Sequence, residues 1–254
     1  MKSGLCSITF RKHTSGEVIS LVAEAGLDGI EWGSDVHVPP GNLENARAVG
    51  RQTRNAGLSV AGYGSYWFAF DKNQQPEPFE PLIEAATALG APVIRVWAGS
   101  LHLGKSPDYF ETVVEKSRAF AEAASQAHIK VAYEYHPGTF TETLDGTQKL
   151  LAAVNHPNLY TYWQSPHRSD LTQRLTEIAA LNDRLLNLHV FHWEYTGAPP
   201  FPRLALADGS DLWKTCLAAI DPAVERFALL EFVRDDSSEQ FKADAAALKS
   251  WLKT

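Results

Sequence analysis

The residues with the clearest chemical potential are two glutamates, a histidine and a glutamine, each of which ends a short apolar run. The runs are KVAYE, ending on Glu134; LYTYWQ, ending on Gln164; LLNLH, ending on His189; and RFALLE, ending on Glu231. Carboxylate, imidazole and amide groups are ligands of divalent cations, and an oxygen-rich set favours hard ions. The pattern therefore indicates a cation site built from residues far apart in the sequence.

The composition is that of one globular domain. The 254 residues are 44% hydrophobic and 21% charged, and they contain no Ser/Gly tract or charge block that would mark a linker. We therefore expect a single domain over residues 1–254. No stretch approaches the ~20 apolar residues of a membrane span, and no signal-peptide pattern is present. A cytoplasmic protein without a membrane partner is the expectation.

The charge argues against a nucleic-acid partner. The formal net charge is -7 at pH 7, and the basic residues are scattered along the chain. Nucleic-acid binders usually present a basic face. Cys6 and Cys216 are too few for a disulfide framework and are compatible with a reducing compartment. We expect a small-molecule substrate and no nucleic acid, and a homo-oligomer is compatible with the sequence.

Eight strand-like runs alternate with amphipathic segments of helical spacing. The runs begin near Gly4, Asp28, Ser59, Pro92, Ile129, Leu159, Leu185 and Phe227. Between the first two, SGEVISLVAEAGL carries an apolar stripe at helical spacing and ends at Gly26, a typical C-cap. Strand then helix, repeated eight times, predicts an α/β fold of the (β/α)8 barrel type, a TIM barrel. An open doubly wound sheet is the alternative, but the chain has no GxGxxG or Walker A loop.

A closed barrel would bring the four strand-end residues together. The carboxyl ends of its strands form the face where barrel enzymes carry their chemistry. Because side chains alternate along a strand, Glu134 shares the face of Ala132 and Glu231 that of Leu229, whereas Tyr133 points to the helices. Two carboxylates buried in one barrel mouth are costly without a cation or strong donors. A closed barrel would therefore assemble the cation site, and a bound cation would offset the cost of burying both carboxylates.

The order of these residues resembles the sugar phosphate isomerase/epimerase superfamily, the xylose isomerase-like barrels. The resemblance rests on GIEW in the second run, GAPVIRVWAG in the fourth, and the four runs with candidate ligands. It implies an isomerase or epimerase of carbohydrate metabolism that acts on a sugar, keto-sugar or polyol. It also implies one divalent metal ion, Mn²⁺ or Mg²⁺ before Co²⁺ or Zn²⁺, held by Glu134, Gln164, His189 and Glu231.

The same resemblance implies a mechanism and leaves alternatives open. Glu134 and Glu231 would act as acid and base on a metal-stabilised enediolate. A dehydratase or lyase that acts on a keto-sugar or cyclitol would use the same site. The family has Asp where this chain has Gln164, so a degenerate, non-catalytic sugar-binding barrel is a further alternative. An endonuclease IV-like activity would need three zinc ions, more histidines and a basic groove.

Six further residues are expected to contact the substrate. They are His136, His167, His192, Trp67, Trp97 and Trp193. His136 shares the strand face of Glu134, and His167 stands where the family has a substrate-contacting histidine. The aromatic residues suit a sugar site, because pockets for such ligands combine apolar walls with few polar anchors.

Three further residues with ionisable side chains lie on or directly after earlier runs. Arg95, in the fourth run, is expected to form a structural ion pair with an acidic ligand inside the barrel. Glu31 and His37 end and follow the second run, where they would either contact substrate or cap the loop.

Overall fold

Eight parallel strands form a closed barrel in the part of the chain that the computed structural model describes, residues 1–70, 78–99, 107–166, 169–197 and 199–253. The strands are Lys2–Cys6 (β1), Gly29–Gly33 (β2), Ser59–Phe68 (β3), Val93–Trp97 (β4), Lys130–Glu134 (β5), Leu159–Gln164 (β6), Leu185–Val190 (β7) and Phe227–Leu230 (β8). They pair in chain order, and β8 pairs with β1 to close the barrel. The predicted (β/α)8 fold is confirmed.

Eight α-helices alternate with these strands in the described residues. They are Ser15–Ala25 (α1), Leu43–Asn55 (α2), Glu80–Leu89 (α3), Pro107–Gln126 (α4), Leu144–Val154 (α5), Leu171–Leu181 (α6), Ser210–Ala218 (α7) and Ser238–Trp251 (α8). Short 3-10 helices cover Ser7–Phe10, Leu206–Gly209 and Arg234–Asp236. Among the described helices, none combines the length and the apolar character that a membrane crossing requires.

The sequence sets the ends of α1 by capping. The side chain of Thr14 accepts a hydrogen bond from the backbone of Glu17, and Glu17 bonds back to the Thr14 backbone, which completes a capping box. Gly26 ends the helix with φ of 65°, in the left-handed region that glycine adopts without a steric penalty. The predicted C-cap is therefore confirmed.

The strands separate two hydrophobic layers. The outer layer lies between strands and helices, where Tyr133 bonds to Ser117 of α4 and Trp163 donates to Glu177 of α6 at 3.1 Å. The inner layer fills the barrel with Cys6, Ile8, Ala61, Val93, Ala132, Tyr162, Phe227 and Leu229. The inner layer forms the floor below the polar residues at the strand ends.

Candidate metal centre

Glu134, His189 and Glu231 converge inside the barrel at the carboxyl ends of β5, β7 and β8. His189 Nδ1 lies 3.4 Å from Glu134 Oε1 and 3.4 Å from Glu231 Oε2. The ligand atoms of the three residues all lie within 4.8 Å of one another, and all three side chains are buried. Gln164, on β6, pairs in register with His189 and lines the same cavity as the two glutamates. The structure thus brings together all four residues that the sequence indicated.

The donor set fits a divalent cation. His189 Nδ1, Glu231 Oε2 and Gln164 Oε1 are buried and have no hydrogen-bond partner. Each such atom costs about 1–3 kcal/mol when it stays unsatisfied. Ligand atoms about 2.1 Å from one cation, at octahedral or tetrahedral angles, lie about 3.0–3.4 Å apart. The 3.4 Å separations around His189 Nδ1 agree with that spacing.

The second ring nitrogen of His189 is held by Glu31. His189 Nε2 lies 3.3 Å from Glu31 Oε1, and because an ionised carboxylate only accepts, Nε2 carries the hydrogen. Burial disfavours a charged imidazole, but the carboxylates around the ring, Glu231 and Glu31 among them, outweigh burial and raise the pKa of His189 well above its ordinary value. Without a cation, a proton on Nδ1 therefore faces Glu134 and Glu231. A bound cation would replace that proton and take the lone pair of Nδ1.

Glu134 is held in its ionised form by strong donors. Its Oε2 accepts from Trp97 Nε1 at 2.5 Å and from Arg95 Nη1 at 2.9 Å. Burial would raise its pKa, but the Arg95 guanidinium and His189 outweigh burial, so the pKa of Glu134 lies well below its usual range. Glu134 is suited to bind a cation and poorly suited to accept a proton.

Glu231 has the opposite environment. Its Oε2 has no hydrogen-bond donor, and no guanidinium contacts it at ion-pair distance within the described residues. Burial raises the pKa of Glu231 to about 7, against the opposing influence of His189. A carboxylate with a pKa near neutrality is suited to proton transfer, and two carboxylates with diverging pKa values are typical of acid–base sites.

A cavity of about 280 Å³ opens above these residues. It is lined by Ile8, Arg11, Tyr66, Arg95, Trp97, Glu134, His136, Pro137, Gln164, Phe191, Trp193, Glu231 and Phe232. Mostly apolar walls with a few convergent polar groups are typical of a small-molecule site. The volume suits a single substrate ring.

Three of the predicted substrate contacts line this cavity: Trp97, His136 and Trp193. The rings of Trp97 and His136 lie 4.9 Å apart. His136 Nδ1 donates to the carbonyl oxygen of Pro137 at 2.8 Å, so Nδ1 carries a hydrogen and Nε2 is the nitrogen left for a substrate. His136 is thus able to form a hydrogen bond with a substrate hydroxyl.

The other predicted substrate contacts lie elsewhere. Trp67 packs against Phe79 and Phe120 in the outer hydrophobic layer, on the helix side of β3. His192 packs against Gly209, where an added Cβ would lie 2.6 Å from His192 Nδ1. Neither is among the cavity-lining residues. His167 falls outside the described residues.

A buried charge network behind the candidate metal ligands was only partly predicted. Arg95 forms the predicted ion pair with Glu134 and also approaches Glu31, with Nε 3.6 Å from Oε1. Gly62 and Gly64 on β3 leave room for this network, because a Cβ on Gly64 would lie 2.7 Å from Arg95 Nη2. Glu31 does not cap a loop but contacts His189 inside the barrel. Gly62 and Gly64, which face inward in the sequence GYG, were the feature of the sequence that could have predicted space for this network.

Three aromatic residues that line the cavity are not among the six predicted substrate contacts: Tyr66, Phe191 and Phe232. Tyr66 follows Gly64 on the inward face of β3, and Phe191 follows His189, so the two-residue period was a usable signal. Phe232 has φ of 52°, unusual for a bulky residue, directly after Glu231. Backbone strain of this kind concentrates at functional sites.

Residues 19–251 match the family model for the xylose isomerase-like TIM barrel. The chain belongs to this family. The resemblance seen in the sequence is therefore confirmed, and the family is one of enzymes. Among curated proteins, the 3-dehydroshikimate dehydratase of Bacillus anthracis is 28% identical over 169 residues. That match spans 63% of this chain and 60% of the relative's length.

Solved structures of the family share the whole barrel. The probable 3-DHS dehydratase AsbF from Bacillus anthracis is 21% identical with a TM-score of 0.79, over 98% of this chain and 99% of that chain. The D-psicose 3-epimerase from Clostridium cellulolyticum H10 is 16% identical with a TM-score of 0.73, over 100% of this chain and 99% of that chain. At these identities the likeness shows the fold, and both a dehydratase and an epimerase use it.

Proposed function

We propose that this protein is a divalent-metal-dependent lyase that removes water from a single-ring hydroxy ketone, with 3-dehydroshikimate as the first candidate substrate. The observation that carries the proposal is the inequality of the two converging carboxylates. Glu134 Oε2 accepts hydrogen bonds from two donors, Trp97 and Arg95. Glu231 Oε2, in the same part of the barrel, has no hydrogen-bond donor. The dehydratase relative supports the same reaction type.

Four residues would hold the cation: Glu134, Gln164, His189 and Glu231. Their buried oxygen and nitrogen atoms suit Mg²⁺ or Mn²⁺, with Co²⁺ and Zn²⁺ as alternatives. A bound cation would draw electron density from the substrate carbonyl and acidify the neighbouring C–H bond.

The protein itself would move the proton. Glu231 removes a proton from the carbon next to the carbonyl. As the hydroxyl on the following carbon leaves with the electron pair of its C–O bond, the electron pair of the broken C–H bond forms the double bond between these two carbons. The leaving hydroxyl takes the proton from Glu231, so the products are an unsaturated ketone and water, and the ketone formed from 3-dehydroshikimate enolises to the aromatic dihydroxybenzoate. Glu134 remains ionised beside Arg95 and Trp97 throughout. Glu231 would bind the cation through one oxygen and exchange the proton through the other, so a single carboxylate is sufficient for both halves of this elimination.

Epimerisation of a keto-sugar is the second candidate function. It is favoured by one observation: Glu134 Oε1 and Glu231 Oε2 both approach His189 Nδ1 at 3.4 Å, so two carboxylates reach the same region. A two-base epimerase needs both groups to exchange protons, and the donors on Glu134 Oε2 oppose that role. We therefore rank dehydration first.

A substrate panel tests the proposal. The purified protein is incubated with Mn²⁺ or Mg²⁺ and with 3-dehydroshikimate, D-fructose or D-psicose. We expect loss of water from 3-dehydroshikimate, seen as the absorbance of the aromatic dihydroxybenzoate product, and activity that disappears with EDTA. An epimerised sugar without any water loss would establish the second candidate instead. Bound metal with no turnover of any panel member would favour a non-catalytic sugar-binding barrel.

A further inference from the structure

We propose that Glu31 is a positioning residue of the cation site, which supplies through His189 the negative charge that the neutral Gln164 lacks. This inference rests on the metal binding of the proposed function and adds a residue outside the ligand set. Glu31 lies on β2 and is buried, with 2% of its surface exposed.

The first support is the geometry around the imidazole. Glu31 Oε1 lies 3.3 Å from His189 Nε2, while Glu134 and Glu231 face Nδ1 on the other edge of the ring. The carboxylate accepts from Nε2, which fixes the ring orientation and leaves Nδ1 as the ligand atom. Carboxylates placed behind ligating histidines orient them and make them more basic.

The second support is the balance of buried charge. Glu31, Glu134 and Glu231 face one buried guanidinium, that of Arg95, so the cluster carries a net charge of minus two when His189 is neutral. This net charge of minus two would be balanced by the charge of one divalent cation. Loss of the Glu31 charge would leave minus one, because Gln164 offers an oxygen without charge. The number of carboxylates at a site tunes its divalent affinity.

The third support is the space that β3 provides. A Cβ on Gly62 would lie 3.1 Å from Glu31 Oε2, and a Cβ on Gly64 would lie 3.0 Å from Glu31 Oε1. Both oxygens of Glu31 therefore occupy volume that two glycines leave open. Arg95 is closer to Glu134, at 2.9 Å, than to Glu31, at 3.6 Å, so the charge of Glu31 is the less neutralised of the two.

The test is a titration of Mn²⁺ into the purified proteins by isothermal calorimetry. Glu31→Gln keeps the shape and an accepting oxygen but removes the charge, and we expect its affinity for Mn²⁺ to fall about 10–100-fold. The matched control is Glu177→Gln, an equally buried carboxylate on α6 that bonds to Trp163 and Gln173. The control is expected to keep the wild-type affinity.

A charge-restoring variant separates the charge of Glu31 from a merely structural role. Gln164→Glu has the same length and adds a carboxylate, so Glu31→Gln/Gln164→Glu is expected to recover the affinity that Glu31→Gln loses. Gln164→Glu alone is expected to bind Mn²⁺ about tenfold more tightly. An unchanged affinity in that single variant would contradict the charge argument even if Glu31→Gln did not fold.

The remaining outcomes are distinguishable. Equal Mn²⁺ affinity in the wild type and in Glu31→Gln would overturn the role of Glu31 and leave the proposed function standing. A weakened Glu31→Gln that Gln164→Glu does not rescue would also overturn the charge role. A wild-type protein that binds no Mn²⁺ would overturn the metal-dependent function itself.

Discussion

At the scale of single residues, the site is organised around the imidazole of His189. One ring nitrogen contacts Glu31, and the other faces Glu134 and Glu231. Glu134 Oε2 accepts from two donors, whereas Glu231 Oε2 has none, so we propose that Glu134 stays ionised and that Glu231 exchanges protons. Residues of the same type thus differ in role because their neighbours differ.

The assignment of Glu231 predicts a specific kinetic defect. Glu231→Gln is expected to lower kcat by about 10²–10⁴-fold, since a positioned general base contributes that factor. Steady-state kinetics at saturating Mn²⁺ measure the effect. Glu225→Gln is the control, because Glu225 is exposed and pairs with Lys2 at 2.9 Å. A near-normal kcat in Glu231→Gln would remove Glu231 from the mechanism.

Arg95 is predicted to contribute strongly to the free energy of unfolding of the metal-free protein. Arg95→Met leaves Glu31 and Glu134 without their buried cation, and breaking a buried pair in this way costs about 3–5 kcal/mol. Urea denaturation measures the change in free energy of unfolding. Lys242→Met, which removes an exposed pair with Glu24, is expected to cost less than about 1 kcal/mol. Mn²⁺ should offset part of the Arg95→Met loss, and equal costs for the two variants would contradict this account.

At the scale of elements, the alternation along a strand predicted which side chains point into the barrel, but only where the strand pairing is regular. Glu134 ends β5, where the alternation with the inward Ala132 is unbroken, so its inward placement followed from parity. β6 and β7, which carry Gln164 and His189, pair with a register shift between Thr161 and Trp163. On β3 the predicted substrate contacts included Trp67, which lies on the helix side, but not Tyr66, which lies two positions after the inward Gly64 and lines the cavity. An aromatic cluster alone does not tell the two faces apart.

Contacts between distant strands were beyond the reach of the sequence. Glu31 meets His189, which lies 158 positions away, and this contact depends on the tilt and register of the whole barrel. An ion pair between Arg95 and an acidic ligand inside the barrel was predicted, and in the structure its partner at 2.9 Å is Glu134 on the neighbouring strand. The second contact of Arg95, with Glu31, was not predicted, because it depends on the space that Gly64 leaves for both side chains.

Substitution of Gly64 on β3 tests whether the buried charge network needs the space beside this strand. Gly64→Ala would place a Cβ 2.7 Å from Arg95 Nη2 and 3.0 Å from Glu31 Oε1, so we expect a stability loss of about 1–3 kcal/mol, together with weaker Mn²⁺ binding. Gly16→Ala in α1 meets nothing within 4 Å and is expected to stabilise by about 0.5–1 kcal/mol. Thermal or urea unfolding compares the two. A neutral Gly64→Ala would show that the network does not need this space.

At the scale of the whole molecule, barrel closure is what creates the site. The four candidate ligands and Glu31 come from β2, β5, β6, β7 and the residue after β8, and a helix separates each of these strands from the next strand in the chain. Binding of a cation should therefore stabilise the complete fold, since the unfolded chain does not hold these side chains together.

This linkage predicts a thermal shift. At a free Mn²⁺ concentration of 100 times Kd, binding adds about 2.7 kcal/mol, which raises Tm by about 5–10 °C for a chain of this size. Differential scanning fluorimetry measures the shift, and EDTA should reverse it. The double variant Glu134→Gln/Glu231→Gln is expected to lose it. A shift of the same size in that variant would place the cation elsewhere.

The most direct measurement is anomalous diffraction from crystals soaked in Mn²⁺. The account predicts one strong peak about 2.0–2.4 Å from Glu134, Gln164 Oε1, His189 Nδ1 and Glu231. A peak at another position, or no peak among these side chains at saturating Mn²⁺, would contradict it.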